Sequence, residues 1–442
     1  MQSQKNYENM LKWVEQKALK LGADAIRSVL NVNSGFSMSQ RNDSIEKMEE
    51  SIQSSLRVEI FKDNRYSYHS TNDLNQDRLE SFLDKAVSMT SYLEKDEARR
   101  LPDPALYPVS MPEVDLDLVD PTLSSMTIER KKKLLNRLVQ SAYAKNSQLI
   151  SVTGEFWNGH SHVYGRASNG FSGTEEKTYV GMSVEVSMNE PGGRKPEDWK
   201  SVNARHFDDL WDPEEIAAEA VKRVEQKLGA EKIASGIKTM IVENTAVARL
   251  LYPIIGALTG KSLYQKRSFL DGMMDHQVGS DLLTLRNDPF IPRGLGSRYF
   301  DEEGIRAQKR TLFDKGILKN YFIDSYYGNK LGMDPTSGSF SNLILNPGSL
   351  SPEELIKNVS EGIYVTQFIG GNSNSNTGDF SYGVMGHEIR DGKLVRPVTE
   401  MNISGNYLEL MKSLHAVGND PYIFSSFRMP TLVFKNVNFA GK

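Results

Sequence analysis

The sequence predicts an α+β protein of two domains, with largely antiparallel sheets flanked by helices and a strand-rich C-terminal half. Helical periodicity is confined to a few segments, separated by runs that alternate as strands do. Several of those runs are joined by short turn signals of the hairpin type, which link antiparallel neighbours and cannot link parallel ones. The length of 442 residues exceeds what one hydrophobic core usually serves. Two domains are therefore expected, residues 1–230 and residues 231–442.

Residues 7–21 carry Leu11, Val14, Ala18 and Leu21 at helical spacing and stop at Gly22. From Ile26 the pattern becomes alternation, and two strand-like runs flank Lys62-Asp63-Asn64-Arg65, a hairpin signal. A helix follows near 75–94 behind the capping candidates Thr71, Asn72 and Asp73. Residues 96–121 hold Pro102, Pro104, Pro108, Pro112 and Pro121 and read as an extended connector. A helix covers about 121–145. Strands run from Leu149 to Met188, broken at Asn169-Gly170 and ended by Pro191-Gly192-Gly193. The clearest helix is 212–229, capped by Asp212, with Pro213 in its first turn and Gly229 at its end. The second domain opens with the strand KTMIVE and a helix beginning near Asn244. Short strands fill the remainder, with turns at Asp314-Lys315-Gly316, Asn346-Pro347-Gly348 and Asp391-Gly392.

Composition excludes several function classes. A formal charge of −4 offers no basic face for nucleic acid, and no nucleic-acid partner is expected. The absence of cysteine removes disulfides, thiolate nucleophiles and cysteine-ligated metals. The first residues mix charges without the apolar core of a signal peptide, and no stretch approaches the roughly 18 apolar residues of a membrane span. A cytoplasmic protein without membrane contact is expected.

Motifs for common chemistries are also missing. There is no GxxxxGK[ST] loop, no GxSxG elbow, and Gly294-Leu295-Gly296 lacks the third glycine of a dinucleotide fingerprint. His387-Glu388 begins like HExxH, but Asp391 stands where the second histidine belongs and the pair falls on a hairpin rather than a helix. His160 and His162 would share one face of a strand, and that spacing alone reads as an exposed strand pair. The run from Gly370 to Gly378 is unusual in composition. It suits a loop between strands, or a substrate groove lined by Gly370, Gly371 and Asn372 with Phe380 and Ser381 beyond.

Three ordered blocks carry a specific resemblance. Asn287-Asp288-Pro289 followed by GLGSRYFDEEGIRAQKRTLFDKGILKNYFIDSYYGNKLG (294–332) contains a D-x-E-G segment before a strand–turn–strand. TGDFSYGVMGHEIRDGKLVRPVTEMNISGN (377–406) and HAVGND (415–420) follow it, and LRVEIFKDNRYSYHSTNDLNQDRLESFLDKAVSM resembles the same family's opening domain. Together these resemble the TldD/PmbA (TldE) family, whose older label is a candidate modulator of DNA gyrase.

The resemblance implies a pair of related subunits. In the TldD-type subunit an HExxxH helix and a late cysteine hold zinc. Matching Gly256 to that motif's glycine places Tyr252 at the first histidine, Pro253 at the glutamate and Ala257 at the second histidine. Proline and alanine have no donor side chain, so no catalytic residue and no metal are expected in this chain. Zinc is expected in a TldD-type partner. The resemblance points to the TldE (PmbA) type, a non-catalytic subunit helping to enclose a chamber for proteolysis of peptides or unfolded segments. The assembly would be a heterodimer with a TldD-type paralogue, or a homodimer. Two alternatives stay open: a self-sufficient homodimeric hydrolase without metal, and a protein that binds and modulates gyrase.

Overall fold

The computed structural model describes residues 2–108 and 114–442, so Pro112 of the proline-rich connector lies outside the described residues. The N-terminal half comprises α1 (Gln2–Lys20), β1 (Ala25–Arg41), β2 (Ser44–Lys62), β3 (Arg65–Thr71) and α2 (Gln76–Thr90). After the connector come α3 (Ile128–Lys145), β4 (Leu149–Ala167), β5 (Ser172–Met188), β6 (Glu197–Ala204) and α4 (Pro213–Glu225). The six strands form one antiparallel sheet in the order β3-β2-β1-β4-β5-β6. Helices cover one face of it in two separate pairs. Beneath α1 and α2 lie Leu30, Leu56, Ile60 and Tyr164, whereas α3 and α4 cover Phe36, Met38, Phe156 and Val184.

Local chemistry explains most element ends. Asp63 and Asn64 both take positive φ, as a two-residue type I′ hairpin requires, and join β2 to β3. The cap of α2 is Asn75, whose side chain accepts from Asp77 N and Arg78 N, rather than any of Thr71, Asn72 or Asp73. Asp212 caps α4 through Glu214 N, as its position predicts, but that helix ends at Glu225 and a further turn leads to Gly229. The described residues of the connector form no strand and carry one short 3-10 turn, Pro104–Leu106. It is nonetheless packed: Tyr107, Leu116 and Leu118 are buried, and Tyr299 Oη hydrogen-bonds to the backbone at Val114 and Leu116.

The C-terminal half continues with β7 (Gly236–Val242), α5 (Val247–Ala257), α6 (Gly260–Tyr264), β8 (Leu285–Asp288), β9 (Arg310–Asp314), β10 (Ile317–Leu318), α7 (Ser325–Leu331) and β11 (Asn342–Leu345). Then follow α8 (Pro352–Lys357), β12 (Glu361–Ser373), β13 (Asp379–Arg390), β14 (Lys393–Asn406), α9 (Tyr407–Lys412), β15 (Leu414–Val417), β16 (Phe427–Arg428) and β17 (Leu432–Ala440). One sheet runs β14-β13-β12-β7-β17-β15, and pairing of β14 with β17 closes its first five strands into a barrel. A smaller sheet runs β10-β9-β8-β11-β16. Only the β7–β12 and β11–β16 ladders are parallel among the described strands, so the predicted α+β, largely antiparallel architecture holds. Helix α5 fills the space between these layers. Its Leu250, Leu251 and Ile254 share an apolar pocket with Leu285 and Phe313 of the small sheet and with Leu432 and Phe434 of the barrel. Among the described residues, no helix is long and apolar enough to cross a membrane.

Candidate functional site

Helix α5 carries the three positions at which the resemblance places a lost metal motif. The helix passes through Pro253 without interruption, although proline there removes a backbone donor. Tyr252 and Ala257 are five positions apart, which turns their side chains about 140° apart around the helix axis. Tyr252 is 55% exposed and its ring leans on Phe427, with centroids 4.5 Å apart. Ala257 is fully buried in the core. A hydrolytic zinc takes about three protein ligands. Here one outward phenol is offered and the remaining positions lack donors, so the residues do not fit that ion.

The glycine-rich run is the tip of the β12–β13 hairpin. Gly370 and Gly371 both have positive φ and sit at a bulge where the ladder slips between Ile369 and Asn372. A Cβ on Gly371 would come within 2.2 Å of the Ser381 carbonyl oxygen, so the bulge also needs the missing side chain. Gly370, Gly371, Asn372 and Ser381 are exposed, with Asn372 opposite Ser381 in the ladder. Phe380 points the other way into the core, against the rings of Tyr382 and Tyr407. The structure thus gathers four of the five proposed groove residues on one surface and places the fifth beneath it.

His387 and Glu388 have structural partners. His387 Nε2 lies 3.0 Å from the Gln226 carbonyl oxygen. Burial alone would raise the Glu388 carboxyl, but bonds from Arg396 and Arg390 hold it below the usual carboxylate range.

A cleft of about 470 Å³ opens where the N-terminal sheet meets the barrel. One wall is β6, the last strand of its sheet, from Asp198 to Asn203. The opposite wall is Thr366, Gln367 and Phe368 of β12, and the first turn of α5 contributes Arg249. Tyr422 and Phe424 close one side. Asp198 pairs with Lys227, and Arg223 pairs with Glu219 and Glu243. Lys200 and Arg249 face aromatic rings instead: Lys200 Nζ lies 4.3 Å from the Trp211 centroid, and the Arg249 guanidinium 5.2 Å from that of Tyr382. Burial pushes the Lys200 ammonium below its usual pKa. The lining contains Ser201 and Ser425 but no histidine. It offers a strand edge, aromatic faces and two cations. Sequence reasoning missed this cleft, because nothing local to residues 197–204 reveals that they form the end of a sheet.

The D-x-E-G segment holds the two halves together. Asp301 Oδ1 accepts from Glu303 N and Ile305 N at 2.9 and 3.0 Å. Glu303 accepts from Ser325 N and lies 3.6 Å from Arg27 of β1, which is itself bound to Glu59 at 2.6 Å. Burial, and then the charge of Glu303, push the Asp301 carboxyl up to about 6.

Comparison with known proteins identifies the family and the fold. Residues 29–90, 121–228 and 235–441 match models of the first, central and C-terminal domains of the PmbA/TldA metallopeptidases. The metalloprotease PmbA of Escherichia coli O157:H7 is 26% identical over 95% of this chain and 93% of its own length, and a PmbA homologue of Haemophilus influenzae is 28% identical over 96% and 94%. A crystal structure from Bacteroides thetaiotaomicron, described as a candidate modulator of DNA gyrase, is 39% identical with a TM-score of 0.96, covering 98% of this chain and 99% of that one. TldE of Thermococcus kodakarensis has the same fold, with a TM-score of 0.85 at 21% identity over 98% of this chain and all of its own. The chain belongs to the PmbA/TldD metallopeptidase family.

Proposed function

We propose that this chain is the non-catalytic subunit of a TldD/TldE-type metallopeptidase, and that a TldD-type paralogue supplies the zinc. The observation that carries this reading is α5: Tyr252 faces out, Ala257 is sealed in the core, and Pro253 offers neither ligand nor base. The cleft beside β6 supports a peptide or unfolded segment as substrate. An extended chain can pair with a strand edge without strong sequence selectivity, while the aromatic and cationic walls hold side chains and carboxylates.

An assembly partner suits β2. Strand β3 pairs with residues 56–62 of β2 alone, and among the described residues this leaves 44–55 with a free edge that carries the exposed side chains of Ile45, Met48 and Ile52. Such an edge is a ready surface for strand pairing. Coexpression with a paralogue bearing an intact HExxxH helix tests the reading. The two chains should co-purify, and a chelator should abolish peptidase activity of the complex. Persistent separation of the two chains would overturn it.

A further inference from the structure

Between its two helix pairs the N-terminal sheet leaves part of one face open. There β4 and β5 bring together His160, His162 and Glu176. The histidines are two apart on β4 and rise from the same face, and Glu176 lies opposite His162 in the ladder. His160 Nε2 is 2.6 Å from one oxygen of the Glu176 carboxylate, and His162 Nε2 is 3.6 Å from the other. One donor atom from each residue falls within 4.8 Å of the others.

His160 Nε2 is closed off from solvent, and the carboxylate oxygen 2.6 Å away lies off the line of a hydrogen bond from it. A buried ring nitrogen left this way costs free energy, and an ion among the three donors would relieve that cost. The spacing suits one. Zinc with nitrogen and oxygen ligands at about 2.0–2.2 Å in tetrahedral geometry sets its donors about 3.3 Å apart, and the two contacts straddle that value. The Tyr164 ring stacks on His162 at 4.7 Å and fixes its plane.

We infer that His160, His162 and Glu176 bind a divalent transition-metal ion of the zinc type on the open face of the N-terminal sheet. Two imidazoles and a carboxylate favour zinc and its first-row neighbours over magnesium or calcium, which prefer all-oxygen shells. Three protein donors leave the remaining coordination positions to water. The histidine spacing alone suggested an exposed pair, because the third donor comes from a different strand and only the register of β4 with β5 sets it opposite. The site lies wholly within this chain, so it does not rest on the subunit reading.

The test is calorimetric titration of Zn²⁺ into the untagged, chelator-stripped chain alone, repeated with Co²⁺ and read by visible absorption. Saturable binding of one equivalent is expected. His160→Ala and Glu176→Gln should each weaken it at least about tenfold, with the melting temperature in chelator unchanged. The Co²⁺ complex of the unaltered chain should show the visible bands of a four- or five-coordinate site. Absence of saturable Zn²⁺ binding, or binding that both variants leave intact, overturns the site. Should a variant fail to fold, the unaltered chain's Co²⁺ spectrum decides, and a six-coordinate aquo spectrum counts against it. Peptidase activity enters neither measurement, so failure here leaves the subunit reading untouched.

Discussion

At Asp301 the protein keeps a carboxyl where water cannot reach one of its oxygens. Oδ1 accepts two backbone hydrogen bonds, while Oδ2 is buried without a partner. With the pKa pushed up to about 6 from its ordinary 3.8, the protonated form is the better fit to the folded state. The resulting stabilisation is complete below about pH 4 and is lost as pH rises through 6. Asp301→Asn preserves the accepting oxygen and removes the titration. Between pH 4 and pH 8 the variant should therefore gain on the order of 3 kcal/mol relative to the unaltered protein, measured by denaturant unfolding at both pH values. An equal difference at the two pH values would contradict this.

The same scale separates core from surface at the hairpin tip. Phe380→Ala should cost about 3–5 kcal/mol of folding stability, whereas Ser381→Ala on the exposed face should lie within about 0.5 kcal/mol of neutral. Thermal melts of the two variants check this. The neighbourhood of these residues was legible in the sequence, but their facing was not. It depends on which face of β13 turns to the core: Phe380, Tyr382 and Val384 alternate inward along that strand, and only its pairing shows which set is buried.

Among the elements, α5 tolerates a proline that a helix interior disfavours. Pro253→Ala restores a donor for the Arg249 carbonyl and should stabilise the protein by up to about 3 kcal/mol. It should add no peptidase activity, because the other motif positions still lack donors. The free edge of β2 makes a separate prediction. Ile52→Lys places a charge on the most exposed of its apolar side chains, at 79% exposure. It should weaken co-purification with the TldD-type partner while leaving the melting temperature of the isolated chain unchanged.

Elements whose ends are set locally were readable from sequence. Asp63-Asn64 and Asp391-Gly392 adopt the positive φ pairs their hairpins need, and Asp212 caps α4. Elements set by distant pairing were not. Closure of the barrel joins Asn402 to Ala440, and the edge position of β6 follows from a sheet order spanning residues 25 to 204. No window of sequence contains either fact. The proline connector shows the intermediate case: the lack of a strand or long helix in its described residues follows from composition, but the burial of Tyr107, Leu116 and Leu118 depends on distant parts of the chain.

For the whole molecule, binding surface and missing catalytic donors meet at α5. Its first turn lines the cleft through Arg249, while of the three motif positions Tyr252 faces outward, Pro253 has no donor and Ala257 is buried in the core. The Arg27–Glu303 contact ties the N-terminal sheet to the C-terminal half, so the cleft has walls from both. On the proposed reading, this arrangement holds an extended chain and leaves its cleavage to the partner's zinc. The decisive measurement is peptide hydrolysis by the purified chain alone, by the TldD-type paralogue, and by their complex. Hydrolysis should depend on the paralogue's HExxxH histidines, with no turnover by this chain on its own. Turnover by the isolated chain, in the presence of chelator or without it, would contradict the assignment.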